Sequence, residues 1–196
     1  MDLFEVIRRR RSVRCYLPDP VRREDILSIL DAANQAPSAM NRRQWEFIIV
    51  TGKKIGEMGE SFRRIIEEYT KNWETSRMKG SPFSREDFIR FAATYGGAPV
   101  VIVVLTDTAQ TEDFRRANLE SASAAMENLL LAATSLGLGT CWMTGPLQDE
   151  LSLRRILEIP EGKEIVAVTP FGYPAEMSDA PPRNDQGLEK KVRWVE

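Results

Sequence analysis

Three short segments of this chain carry residue types that can do chemistry. The first is Arg8-Arg9-Arg10-Arg11-Ser12-Val13-Arg14. Cations at the C-terminal end of a helix sit well in its dipole, so charge alone fits a solvated helix end. The segment holds more than charge. Ser12 adds a hydroxyl, Arg14 follows in extended chain, and guanidinium forks beside a hydroxyl suit a phosphate monoester. The second is Ala36-Pro37-Ser38-Ala39-Met40-Asn41. It reads equally as a plain helix-to-strand turn, since Pro, Ser and Asn are turn residues. Its small residues would also let backbone amides approach a flat ring, and Asn41 offers both a donor and an acceptor. The third runs from Gly137 to Pro146 through Gly139, Cys141, Trp142 and Gly145. It is not a dinucleotide fingerprint, because Trp142 stands where the third glycine belongs and the glycines follow a helix and enter a strand. Gly145 could bring a main-chain N–H to a ligand edge. Cys141 reads as a small buried apolar residue.

Composition narrows the chemistry. The chain has no histidine. That removes Ser-His-Asp and Cys-His catalysis, His-Glu-x-x-His metal sites and the usual general base. An enzyme made from this chain works through carboxylates, or through a cofactor that brings its own chemistry. Cys15 and Cys141 form no Cys-x-x-Cys pair, so neither a disulfide framework nor a metal site is expected. The 27 basic and 29 acidic residues leave a net charge of −2. Such balance gives no pull toward nucleic acid or an anionic membrane. The acidic start, Met1 to Glu5, does not resemble a secretory signal, and no apolar run reaches the roughly 18 residues of a membrane span. A cytoplasmic location is the expectation.

The elements that must position these segments follow from periodicity. Helices are expected over Asp2–Arg9, where Leu3, Val6 and Ile7 share a face, and over Glu24–Ala36, Lys53–Trp73, Arg85–Tyr95, Glu112–Leu136 and Leu147–Leu157. Strands are expected over Trp45–Val50, Val100–Leu105, Thr140–Met143 and Ile165–Phe171. The tally is α+β, with helices covering a mixed sheet. A chain of 196 residues suits one domain, 1–196, with a proline-rich extended tail from about residue 172. Ser121-Ala122-Ser123-Ala124-Ala125 lies inside the longest helix. It suits core packing within the chain and a dimer-interface helix equally.

Taken together, the segments resemble the nitroreductase family of flavoproteins. Arg10-Arg11-Ser12-Val13-Arg14 is similar to the family's phosphate and flavin motif. Ala36-Pro37-Ser38 with Asn41 and Trp45 is similar to its second motif. Gly137 to Trp142, followed by Met143-Thr144-Gly145-Pro146-Leu147, is similar to its third. Gly172-Tyr173-Pro174 and the basic Arg183 match its C-terminal end. The likeness covers nearly the whole chain in the right order.

The resemblance implies a nitroreductase-like fold with a central mixed, mostly antiparallel sheet and a long dimer-interface helix. It implies FMN, with the phosphate held by Arg10, Ser12 and Arg183, and with Arg11 and Arg14 near the ring or the ribityl chain. Pro37, Ser38, Ala39 and Asn41 would come from the other subunit of a homodimer. Met143, Thr144 and Gly145 would line the ring near its reactive nitrogen. NADH or NADPH would be the donor and a nitroaromatic or quinone the acceptor, in ping-pong fashion. No catalytic side chain is needed. Dehalogenation, flavin destruction and azoline oxidation on the same scaffold are the alternatives, as is an FMN-binding module without turnover. Two departures stand out. The chain has Asn41-Arg42-Arg43-Gln44-Trp45 where the family commonly has Asn-x-Gln-Pro-Trp, and Arg42 and Arg43 read as surface charges. It has Asp185-Gln186-Gly187-Leu188 where the family often has Arg-Lys-Pro-Leu.

Overall fold

The computed structural model describes residues 1–71, 84–175 and 187–196. Among these described residues, six α-helices and four strands follow one another as α1 (Leu3–Arg9), α2 (Arg23–Asn34), β1 (Trp45–Thr51), α3 (Lys53–Tyr69), α4 (Arg85–Thr94), β2 (Val100–Asp107), α5 (Glu112–Ser135), β3 (Gly139–Thr140), α6 (Glu150–Leu157) and β4 (Lys163–Gly172). The strands pair in the order β1-β2-β4-β3, antiparallel throughout. The parallel character expected of the sheet is confined to an isolated bridge between Ser12 and Thr140.

Strand β2 is an unbroken apolar run because helices cover both faces of the sheet. Val100, Ile102 and Val104 pack with Ile29 and Ala33 of α2 and with Ala122, Met126 and Leu129 of α5. Val101, Val103 and Leu105 pack with Met58 and Phe62 of α3, Phe91 of α4 and Leu153 of α6. On β4 the alternation slips by one residue. Val104 faces Ala167 and Leu105 faces Ile165, which leaves Val166 extra. This β-bulge puts Val166 and Ala167 in the same core although they are adjacent in sequence.

Helix α5 starts at Thr111, whose side chain accepts from Phe114 N–H, and runs 24 residues, or about 36 Å at 1.5 Å per residue. Its Ser121, Ala122 and Ala125 are buried within the chain, and Ser123 and Ala124 stay partly exposed. Core packing thus accounts for three of the five residues of the small-residue stretch. Gly59 has an equally local reason. A Cβ there would lie 2.1 Å from the carbonyl oxygen of Ala93, so glycine lets α3 and α4 touch backbone to backbone.

Several elements differ from the periodicity reading. Helix α3 ends at Tyr69, where Thr70 turns its N–H and its hydroxyl back on Ile66 O; Trp73 lies outside the described residues. The strand expected over Thr140–Met143 pairs continuously only at Gly139–Thr140, and Met143 rejoins through two main-chain bonds with Val168. The helix expected from Leu147 begins instead as a 3-10 turn, Gly145–Asp149, before Asp149 caps α6 through Ser152 N–H. On α1 only Val6 is buried; Leu3 and Ile7 are 61% and 38% exposed. Beyond Gly187 the chain makes one 3-10 turn, Leu188–Lys191, with Trp194 and Val195 exposed. Among the described residues, no helix is long and apolar enough to cross a membrane.

Candidate flavin site

The arginine segment is held by main-chain geometry. Asp2 caps α1 by accepting from Glu5 N–H at 2.8 Å, and the helix ends at Arg10. Arg11 Nη1 then donates to the carbonyls of Arg8 and Arg10 at 2.6 and 2.8 Å. Its guanidinium therefore serves the orphan carbonyls of the helix end. The next residues run alongside β3. Val13 N–H donates to Thr140 O at 2.9 Å, and Tyr16 N–H donates to Gly96 O at 2.9 Å. The Tyr16 hydroxyl lies 2.6 Å from Val13 O and 3.2 Å from Pro170 O. Two glycines make this seat possible. A Cβ on Gly139 would lie 2.8 Å from the Val13 side chain, and one on Gly96, at φ +71°, would lie 2.3 Å from Arg14 O.

This seat joins the first and third sequence segments. Ser12 is exposed, and Arg10 Nε lies 3.9 Å from a Glu127 carboxylate oxygen. Arg14 lines a cavity of about 230 Å³ between α3, α4 and the run Cys141–Gly145. Its walls are largely aromatic: Phe62 and Tyr69 on α3, Phe88 and Phe91 on α4, and Trp142. Met143 and Gly145 also line it, and Thr144 is exposed beside them. A Cβ on Gly145 would press on the Phe62 ring at 3.1 Å. Four of these five aromatic residues come from the stretch 62–91, where no sequence motif had singled out site residues. The signal was present as helical spacing: Phe62, Ile66 and Tyr69 at i, i+4 and i+7, and Phe88 and Phe91 at i and i+3.

The electrostatics of the junction are simple. Burial pushes the Cys141 thiol up, against the opposing pull of Arg14, the hydrogen bond from Ser12, and Arg10. It stays a thiol near neutral pH, in keeping with its reading as an apolar residue. Burial likewise raises Tyr16, which stays a neutral donor to its carbonyls. The Thr140 hydroxyl is buried beside Val13 without a hydrogen-bond partner among the described atoms. No carboxylate stands among the described lining residues of the cavity.

The second segment lies elsewhere. Ala39–Asn41 forms a 3-10 turn just before β1. Trp45, at the start of β1, pairs with Thr106, whereas Thr140 of β3 pairs with Phe171 beside Val100. These are diagonally opposite corners of the sheet, roughly 20–25 Å apart at usual strand spacings. One chain thus seats Arg10, Ser12 and Arg14 on the β3 side with Met143, Thr144 and Gly145, while the turn holding Ala39 and Asn41, with Pro37 and Ser38 before it, leads into the opposite corner at Trp45. Four amides of the turn are spent at home. Ala39 N–H donates to Ser121 Oγ, Asn41 N–H to Ser38 O, Arg42 N–H to Ala39 O and Arg43 N–H to Ser38 Oγ. Its capacity toward a ligand thus rests on the Asn41 and Ser38 side chains rather than on these amides. Arg183 lies outside the described residues.

These features fit FMN: a cation and a hydroxyl at an exposed helix exit, a cavity with aromatic walls, a cation at its rim, and a glycine at close approach. The sequence profile of the Nitroreductase family matches residues 7–173. The chain is 37% identical over 179 residues to "Putative NADH dehydrogenase/NAD(P)H nitroreductase" of Methanothermobacter thermautotrophicus, covering 90% of this chain and 79% of that one. Among solved structures it resembles oxidized iodotyrosine deiodinase bound to FMN and 3-iodo-L-tyrosine, with a TM-score of 0.82, 26% identity and all of both chains covered. It also resembles a nitroreductase with bound FMN from Bacteroides fragilis, with a TM-score of 0.72, 26% identity and all of both chains covered.

Proposed function

The chain belongs to the nitroreductase family, and on that premise we propose that it is an FMN-dependent oxidoreductase drawing on NADH or NADPH and reducing an acceptor such as a nitroaromatic or a quinone. One observation carries this: the Val13–Thr140 bond seats the Arg10–Arg14 segment beside β3, so that Arg14 lines the same aromatic-walled cavity as Met143 and Gly145. FMN, when bound, supplies two-electron transfer, taking hydride from the nicotinamide and passing it to the acceptor. Arg10 and Ser12 hold the phosphate, with Arg183 as a third candidate. Met143, Thr144 and Gly145 line the ring. Arg14 would stabilise negative charge on the bound ring, and the apolar aromatic walls beside it would strengthen that interaction. No side chain has to act as a base, which suits a chain without histidine.

The site is completed by a second copy of the chain, which brings Pro37, Ser38, Ala39 and Asn41. The diagonal separation of the two corners supports this, as do the exposed apolar residues Leu3 and Phe4 on α1 and Trp194 and Val195 in the tail. Two-fold homodimers are the commonest oligomers.

The test starts from the purified protein. It is expected to be yellow, to release FMN on heating, as identified by mass, and to bleach anaerobically with NADH or NADPH. Initial rates at several donor concentrations should give parallel double-reciprocal lines. A colourless protein that does not take up FMN would defeat the proposal, and a flavin that NAD(P)H does not reduce would leave a binding module. A second reading, reductive dehalogenation, is favoured by the full-length likeness to iodotyrosine deiodinase. Iodide release from 3-iodo-L-tyrosine by the reduced protein, with little nitroaromatic turnover, would select it.

A further inference from the structure

The segment before β1 is strained. Met40, Asn41 and Arg43 take φ of 54°, 54° and 49°. Asparagine tolerates this left-handed region, whereas methionine and arginine enter it at a cost. Such conformations persist only where the surroundings over-determine them, and they cluster at functional sites. The surroundings here are a polar stripe on α5. Ser121 Oγ accepts Ala39 N–H at 3.0 Å and lies 2.6 Å from Ala117 O, to which it donates. One turn earlier, Asn118 Oδ1 accepts Gln44 Nε2 at 2.9 Å, and Asn118 Nδ2 donates to Asp107 O at 2.9 Å. Thr106 Oγ1 closes the set by donating to Gln44 O at 3.0 Å. Gln44, Thr106, Asn118 and Ser121 are all buried. The same helix face continues as Ala122, Ala125 and Met126, so apolar residues would pack α5 on the sheet without these polar groups.

We propose that Ser121 and Asn118 are positioning residues for the flavin site, gripping both ends of segment 39–44 so that Ser38 and Asn41 are presented, already shaped, to the site of a second copy. This rests on the shared-site reading above. The two residues touch no ligand themselves. They fix the direction of side chains whose neighbouring amides are already spent within the chain.

Mixed dimers test it, with tightly bound FMN per dimer as the readout. One chain carries Arg10→Ala with Ser12→Ala, and its partner carries Ser121→Ala. As a control, the partner carries Asn41→Ala instead. Ser121→Ala alone should weaken FMN binding about three- to tenfold, the worth of one hydrogen bond, while the protein stays folded. In both mixtures one tight FMN per mixed dimer is expected, because the Ser121 lesion travels with the 38–43 half of the site. Recovery in the control but none with Ser121→Ala would overturn the positioning role. No recovery in the control would reject the shared site, and the positioning role with it. Unchanged FMN affinity in Ser121→Ala would also reject it. Gln44→Met keeps the volume, removes the Asn118 bond and should reproduce the Ser121 pattern; a wild-type affinity there would overturn the role of Asn118.

Discussion

The two segments of the proposed site are held in opposite ways. Residues 10–14 lean on the main chain of β3, and glycines at 96 and 139 clear the space, so none of 10–14 needs a left-handed backbone. Residues 38–43 depend on side-chain hydroxyls and carry left-handed non-glycine residues at 40, 41 and 43. The first arrangement is rigid at low conformational cost and suits a fixed grip on a phosphate. The second keeps its shape only while helix α5 holds it. On the shared-site proposal, the half-site that faces its own chain is built from backbone contacts, and the one offered to a second copy has a platform behind it.

The largest effect expected in the first region comes from Gly96→Ala. A methyl 2.3 Å from Arg14 O at φ +71° forces the seat open. Strain and overpacking together should cost about 2–4 kcal/mol of stability. Denaturant unfolding of the FMN-free protein measures it, and an unchanged midpoint would mean that residues 10–16 are not seated there. Next is Arg10→Ala against Arg8→Ala. Losing a charge-assisted bond to phosphate should cost about 1.5–3 kcal/mol, roughly ten- to a hundredfold in FMN affinity, whereas Arg8→Ala should change little. Equal small effects by titration would reduce the arginine run to a solubilising face.

The second region should respond more gently in stability than in binding. Ser38→Ala removes the acceptor of Arg43 N–H and should cost about 0.5–1.5 kcal/mol in unfolding, below the Gly96 effect. A loss as large as that of Gly96→Ala would erase the contrast between the two regions. The smallest effect belongs to Arg42→Ala. Arg42 is exposed, and its change should stay within about 0.5 kcal/mol in stability and about twofold in FMN affinity. A tenfold loss of FMN would move Arg42 from a surface charge into the site.

Much of the fold was legible because periodicity reports burial. The β2 run from Val100 and the long helix from Glu112 declare themselves, since one is covered on both faces and the other keeps a helical stripe. Residue type alone marked the Arg10–Arg14 and Met143–Gly145 segments as candidates. Their contact was not, because it depends on a Val13–Thr140 bond spanning more than half the chain. The bulge at Val166 was hidden, since local alternation does not show which partner residue is skipped.

The sequence by itself determined the class of chemistry: no histidine, a phosphate-type cluster of arginines and serine, no dinucleotide fingerprint, and elements of the right kind in the right order. Tertiary structure alone decided where that chemistry could act. It turned the Arg11 guanidinium back on its own helix, made Arg14, Phe62 and Phe91 walls of one cavity, and led the turn at Asn41 into the sheet corner opposite Thr140. The physical reason is range. Residue type and helical period are local properties, whereas a site forms where strand pairing and close approach at glycine bring distant segments together, and those are fixed only when the sheet closes.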